Sequence, residues 1–117
     1  MTEPAPPLSD EDRKLVTLAR ATRARTGGRE GAAVRDSDGR TYAAATVALP
    51  SLQVSALGVC VAMAVSSGSR GLEAAVVLSD GERVSPLDLD VLRDFSGADV
   101  VVHVGDPRGS ISSSTTT

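Results

Sequence analysis

Residues 51–68, SLQVSALGVCVAMAVSSG, constrain the fold of this chain more than any other stretch. From Val54 to Val65 the run carries no charge, and Ser55 is its only hydroxyl. A helix on a protein surface shows a polar stripe at a 3.6-residue period, and this run shows almost none. A buried strand can also be continuously apolar, but this run is long for a strand. The small residues Ala56, Gly58, Ala62 and Ala64 suit close packing of a helix. We read the stretch as a central helix covered on nearly every side, by a sheet and by a second subunit.

The rest of the chain arranges itself around that helix. Ser9-Asp10-Glu11-Asp12 has the form of a capping box, with acids in the first turn where the helix dipole favours them. Leu15, Val16, Leu18 and Ala19 follow at helical spacing, so a first helix is expected over about residues 10–25, stopped by Gly27-Gly28. Residues 31–34 read as a short strand, Ser37-Asp38-Gly39 as a tight turn and residues 41–47 as the returning strand. Leu49-Pro50 breaks that strand and leads into the central helix. Residues 72–78 form a third strand, and Ser79-Asp80-Gly81-Glu82 a turn. Ser85, Pro86 and Asp88 suit the N-cap, N1 and N3 positions of another helix, which ends near residues 95–97. Residues 99–104, rich in valine, are the fourth strand. The order α, β, β, α, β, α, β implies an α/β fold with helices packed on a mixed sheet. One domain over residues 8–105 is expected, between a disordered lead-in at 1–7 and a disordered Ser/Thr tail at 106–117.

Composition narrows the function classes. Tyr42 and Phe95 are the only aromatic residues, which argues against a stacking platform for single-stranded nucleic acid. The net charge of -3 gives no general attraction to phosphate or anionic lipid. Arg20, Arg23, Arg25 and Arg29 read as a solvated helix end. Cys60 is the single cysteine, and its apolar surroundings mark a small buried hydrophobe. The longest apolar run is too short to cross a bilayer, so no membrane association and a cytoplasmic location are expected.

In this order the pieces resemble the cytidine deaminase superfamily, in its small free-nucleoside branch. The resemblance covers about residues 8–104 and rests on LVTLARATRAR, EGAAV, the DGRTY turn and strand, the helix ending AVSSG, EAAVVLSDGERVSP and VLRDF. It implies an α-β-α layered fold with about four to five strands around the apolar helix. It also implies dimers or tetramers assembled around that helix, residues 51–68. In the family, a His or Cys followed by Ala and Glu opens the central helix, and Pro-Cys-x-x-Cys opens the next. These supply three zinc ligands and a proton shuttle, and the metal lowers the pKa of its bound water.

Aligned back from AVSSG, the first motif falls on Ser55-Ala56-Leu57 and the second on Ser85-Pro86-Leu87-Asp88-Leu89-Asp90. Ser55 then stands at the ligand position and Leu57 at the shuttle position. Leu87, Asp88 and Asp90 occupy the region of the other ligands. Leucine carries no proton, and a neutral hydroxyl is a poor zinc ligand beside thiolate or imidazole. Thr46, Ala48 and Leu49 stand where the family holds a ribose, and Gly28 or Arg29 where an aromatic flanks the base. No catalytic residue and no cofactor are therefore expected, zinc entering only if the family mechanism is somehow retained.

Other sites are weaker. A substitute metal site from Ser55, Cys60, Asp88 and Asp90 is disfavoured, because Cys60 lies more than a turn deeper in the helix and Asp88 and Asp90 read as first-turn acids. His103, the only histidine, reads as a structural or exposed residue of its strand, since nothing in the sequence specifies a nucleophile beside it. Gly27–Gly31 and Ser67–Gly71 lack the Lys-Ser/Thr of a phosphate loop and read as turns. Three functions are consistent with these residues. The first is a non-catalytic oligomeric interaction or regulatory subunit, with or without a further protein partner. The second is a nucleoside- or nucleobase-binding module with a vestigial pocket. The third is a deaminase or related hydrolase with an altered or subunit-shared site.

Overall fold

The computed structural model describes residues 3–4, 7–81 and 83–117. Its elements are β1 (Glu3–Pro4), α1 (Asp10–Thr26), β2 (Gly31–Asp36), β3 (Thr41–Ala45), β4 (Val47–Leu49), β5 (Leu52–Val54), α2 (Ala56–Ser66), β6 (Leu72–Leu78), α3 (Pro86–Ser96), β7 (Val101–Gly105) and β8 (Ile111–Thr116). The main sheet has the order β1-β8-β7-β6-β2-β3. Among the described residues, only β6 and β7 run parallel, and α3 supplies the crossover between them that a parallel pair requires.

Alternation along the strands divides the core into two. Ala33, Ala74, Val76 and Leu78 point to one face and pack with Leu15 and Ala19 of α1. Ala32, Val34, Ala75, Val77, Val102 and Val104 point to the other, under Leu57, Cys60, Val61 and Ala64 of α2 and Leu92 of α3. Strands buried on both faces read as unbroken apolar runs, which is why β6 and β7 show little alternation in sequence. The result is an α-β-α layering, with five strands and the two-residue β1 at the edge. α1 lies so close to β2 that a Cβ at Gly31 would stand 2.4 Å from the Ala19 carbonyl oxygen.

The helix signals in the sequence are used as read. Ser9, Ser55 and Ser85 each accept a backbone N–H three residues on, at 3.1, 3.0 and 3.2 Å. Gly27 ends α1 with φ of 70° and donates its N–H to the Arg23 carbonyl.

Three differences from the expected layout have physical causes. The central helix is shorter than residues 51–68. Leu52–Val54 folds back on Val47–Leu49 as a separate hairpin, around the turn that Pro50 imposes, and the Ser55 cap fixes the helix start at Ala56. The strand expected over residues 41–47 accordingly ends at Ala45. The tail expected to be disordered over residues 106–117 carries β8, which pairs antiparallel with β7. Its composition suggests solvation, but β7 would otherwise present an unpaired edge, and threonine is a good strand former. Of the lead-in at residues 1–7, Glu3 and Pro4 pair with Ser114 and Ser113. Residues 1, 2, 5 and 6 of that lead-in lie outside the described residues.

Candidate functional site

The N-termini of α2 and α3 meet on one side of the sheet, and their caps are joined. Ser55 Oγ accepts the Gly58 N–H and donates to Asp88 Oδ1 at 2.6 Å. Asp88, only 5 % exposed, in turn donates its backbone N–H to Ser85 Oγ. The Asp88 carboxylate is thus turned toward the neighbouring helix, a fuller role than the first-turn acid expected from its position.

Glu30, at the start of β2, closes the other side. Its Oε1 accepts the Ala56 N–H of α2 at 3.3 Å, while its own N–H donates to Thr46 Oγ1 at 2.9 Å. Burial pushes the Asp88 carboxyl above its ordinary range, and the nearby Glu30 charge adds to this, against the opposing bond from Ser55.

The remaining positions do not converge on this point. Leu57 is fully buried in the core under α2, whereas Leu87 is 71 % exposed. Asp90 turns outward to Arg93 at 3.4 Å. Cys60 donates its thiol to the Tyr42 carbonyl at 3.6 Å, and burial pushes that thiol up to about 12. The candidate residues that do come together are Ser55 and Asp88, with Glu30 added by the structure.

This donor set does not fit a zinc ion. It offers two carboxylates and one hydroxyl, with no thiolate or imidazole. The hydroxyl proton and one lone pair of Ser55 are already used. Among the described residues, no group of three or more His, Cys, Asp or Glu side chains is arranged to hold a metal ion.

A groove runs past these residues. One hollow of about 460 Å³ is lined by Gly28, Arg29, Thr46, Gln53 and Ser55 among others. It shares Arg29 and Thr46 with a second of about 370 Å³, which adds Glu30, Ser79, Asp80 and Ser85. A third, about 310 Å³, shares Ser79, Asp80 and Gly81 with the second and continues to Asp106 and Ser110. The groove follows the carboxyl ends of the parallel strands β6 and β7, a common place for ligands in α/β sheets.

His103 belongs to the opposite, α1-covered face and is buried at 3 % exposure. Its Nδ1 is 2.6 Å from Ser114 Oγ and its Nε2 2.8 Å from Asp12 Oδ2. Asp12 Oδ1 also receives Arg35 Nη1 at 2.9 Å, and Arg35 Nε reaches Glu73 at 3.3 Å. The set has the composition of a hydrolytic triad without its setting. Ser114 lies mid-strand between ladder partners His103 and Glu3, where backbone groups pair across the sheet. The sequence left His103 as either a structural or an exposed residue and gave no hint of its partners, which lie 91 and 11 residues away; the side chain is buried.

A model of the cytidine deaminase-like family matches residues 8–109. The chain belongs to the cytidine deaminase-like family. Solved cytidine deaminases share the fold of this cytidine deaminase-like domain. The enzyme from Burkholderia pseudomallei superposes with a TM-score of 0.75 at 19 % identity, covering 94 % of this chain and 92 % of that one. The one from Mycobacterium leprae gives 0.72 at 19 % identity, over 93 % and 94 %. The one from Mycobacterium tuberculosis gives 0.68 at 22 % identity, over 81 % and 85 %. No sequence among curated proteins matches the chain significantly. At these identities the likeness is one of fold, and the chemistry has to be argued from Ser55, Asp88 and their surroundings.

Proposed function

We propose that this chain is a non-catalytic cytidine deaminase-like protein that acts as an interaction or regulatory subunit and assembles with copies of itself through α2. The observation that carries the reading is the 2.6 Å bond from Ser55 to Asp88. The resemblance sets Ser55 at a metal-ligand position of the family and Asp88 in the region of the other ligands. Here Ser55 caps α2 and donates to Asp88, while the helix that carries Asp88 is capped by Ser85. Leu57, at the position of the proton shuttle, is apolar and sealed in the core, so no step of proton transfer is available to it.

Assembly is supported by the outer face of α2. Ala62 and Val65 are exposed there, Val65 at 52 %, and Val59 and Met63 are only partly buried. Leu49 and Leu52 of the β4–β5 hairpin and Leu87 of α3 are also exposed. Apolar side chains gathered on an outer helix face are the mark of a surface that is covered in the working protein. Among the described residues, no helix is long and apolar enough to cross a membrane, and a cytoplasmic setting suits the reading.

A second reading, a small-molecule binding module, is favoured by the groove beside Glu30 and Ser85, whose central hollow of about 370 Å³ has room for a small polar ligand. A deaminase-type hydrolase with residues borrowed from another subunit ranks third, because every ligand would have to be replaced.

The test combines elemental analysis with light scattering on protein made in zinc-replete medium and purified without chelator. Zinc near zero per chain together with a dimer or tetramer is expected. Zinc near one per chain, or turnover of cytidine, would overturn the non-catalytic reading. A monomer at micromolar concentration would overturn the assembly. Stabilisation by nucleosides in a thermal shift would move the second reading to the front.

A further inference from the structure

We propose that β8 is a releasable strap along the groove, and that the Ser114–His103–Asp12 chain is the catch that holds it shut. The strap has little apolar anchoring of its own. Ile111 is its one large aliphatic residue and is only partly buried against the α1 face of the core, and the rest of the strand is serine and threonine. β6, by contrast, buries six of its seven residues. Elements with few buried apolar contacts open at a small fraction of the global free energy.

Besides the ladder and the partly buried Ile111, the described contacts that hold β8 are polar. Ser112 Oγ donates to the Val104 carbonyl at 3.2 Å, and Thr117 Oγ1 donates to the Gly97 carbonyl at 2.8 Å. Both are contacts to backbone. Among the described residues of the strap, only Ser114 hydrogen-bonds a buried side chain, His103, and through it Asp12 of α1 and Arg35 of β2. That single hydroxyl therefore ties the strap to elements on the far side of the sheet edge. At the other end, the turn before the strap is pre-formed, since Asp106 Oδ1 accepts the N–H groups of Arg108 and Ser110. The strap can swing about this turn without unmaking it.

Opening would reach the groove. Ser110, Ile111 and Ser112 form one wall of the 310 Å³ hollow, which shares Ser79–Gly81 with the hollow beside Glu30. Release of β8 removes that wall and uncovers the outer edge of β7. The catch on one face of the sheet thus governs access along the groove at its edge.

Hydrogen exchange on the full chain at neutral pH, read by mass spectrometry, tests this. In the unaltered protein, residues 111–117 should exchange faster than β6, through opening that leaves β6 protected. Ser114→Ala should lower protection of residues 111–117 by about two- to tenfold, the loss of one hydrogen bond, with β6 unchanged. Ser114→Thr, which keeps the hydroxyl, should restore protection. Unchanged protection in Ser114→Ala would overturn the catch. Equal loss in β6 and the tail would overturn the strap, because β8 would then open only with the whole domain.

Discussion

Asp88 and Asp12 are two partly or wholly buried carboxylates with opposite electrostatics. Burial raises the pKa of Asp88, whereas for Asp12 the cost of burial is outweighed by the bonds from His103 and Arg35, which hold its pKa down. The sign of the pH dependence follows. A carboxylate whose pKa is lowered on folding contributes stability above its unfolded pKa and loses it as pH falls through the folded one. A carboxylate whose pKa is raised does the reverse, so the native state is favoured by protonation and loses that advantage as pH climbs past about 3.9 toward the folded value. Asp88→Asn keeps an acceptor for Ser55 and removes the charge. Urea midpoints should then fall less, or not at all, as pH rises just above the ordinary carboxylate range, while acid unfolding driven by Asp12 persists. A profile identical to that of the unaltered protein would show that Asp88 does not titrate differently on folding.

At the scale of the element, α1 and α2 show what closeness costs and what exposure offers. Gly31→Ala forces a Cβ into the Ala19 carbonyl, a backbone obstacle that cannot rotate away. Thermal or urea unfolding should register a loss of about 1–3 kcal/mol, toward the upper end. Ala62→Glu sets a charge in the outer face of α2 without touching the core, so it should dissociate the proposed self-assembly in size-exclusion chromatography while leaving circular dichroism intact.

Elements were legible in the sequence where local chemistry governs them. Ser9, Ser85 and Pro86 mark helix starts, and Gly27 marks a stop, because caps answer to neighbours a few residues away. The β4–β5 hairpin was missed since one apolar run, residues 51–68, spans two elements and only the Ser55 cap divides them. β8 was missed because its order depends on the edge of β7, a contact that composition does not reveal. The site was legible in part. Likeness of motif set Ser55 beside Asp88, but the orientation of the Asp88 carboxylate and the arrival of Glu30 depend on tertiary packing.

On the scale of the whole molecule, a core without tryptophan leaves Tyr42 as the only residue of its kind. Its hydroxyl donates to Asp36 Oδ2 at 3.3 Å, and Asp36 is fully buried, its other oxygen accepting the N–H groups of Asp38 and Arg40. A phenol held against a carboxylate emits weakly, and the same phenol in water emits more strongly. The chain therefore carries its own optical probe, dim when the β2–β3 turn is closed and bright when it opens. Far from the strap but packed against α2, that signal would follow the β2–β3 edge of the sheet, so fluorescence and the exchange of the strap would part company wherever the molecule opens piece by piece.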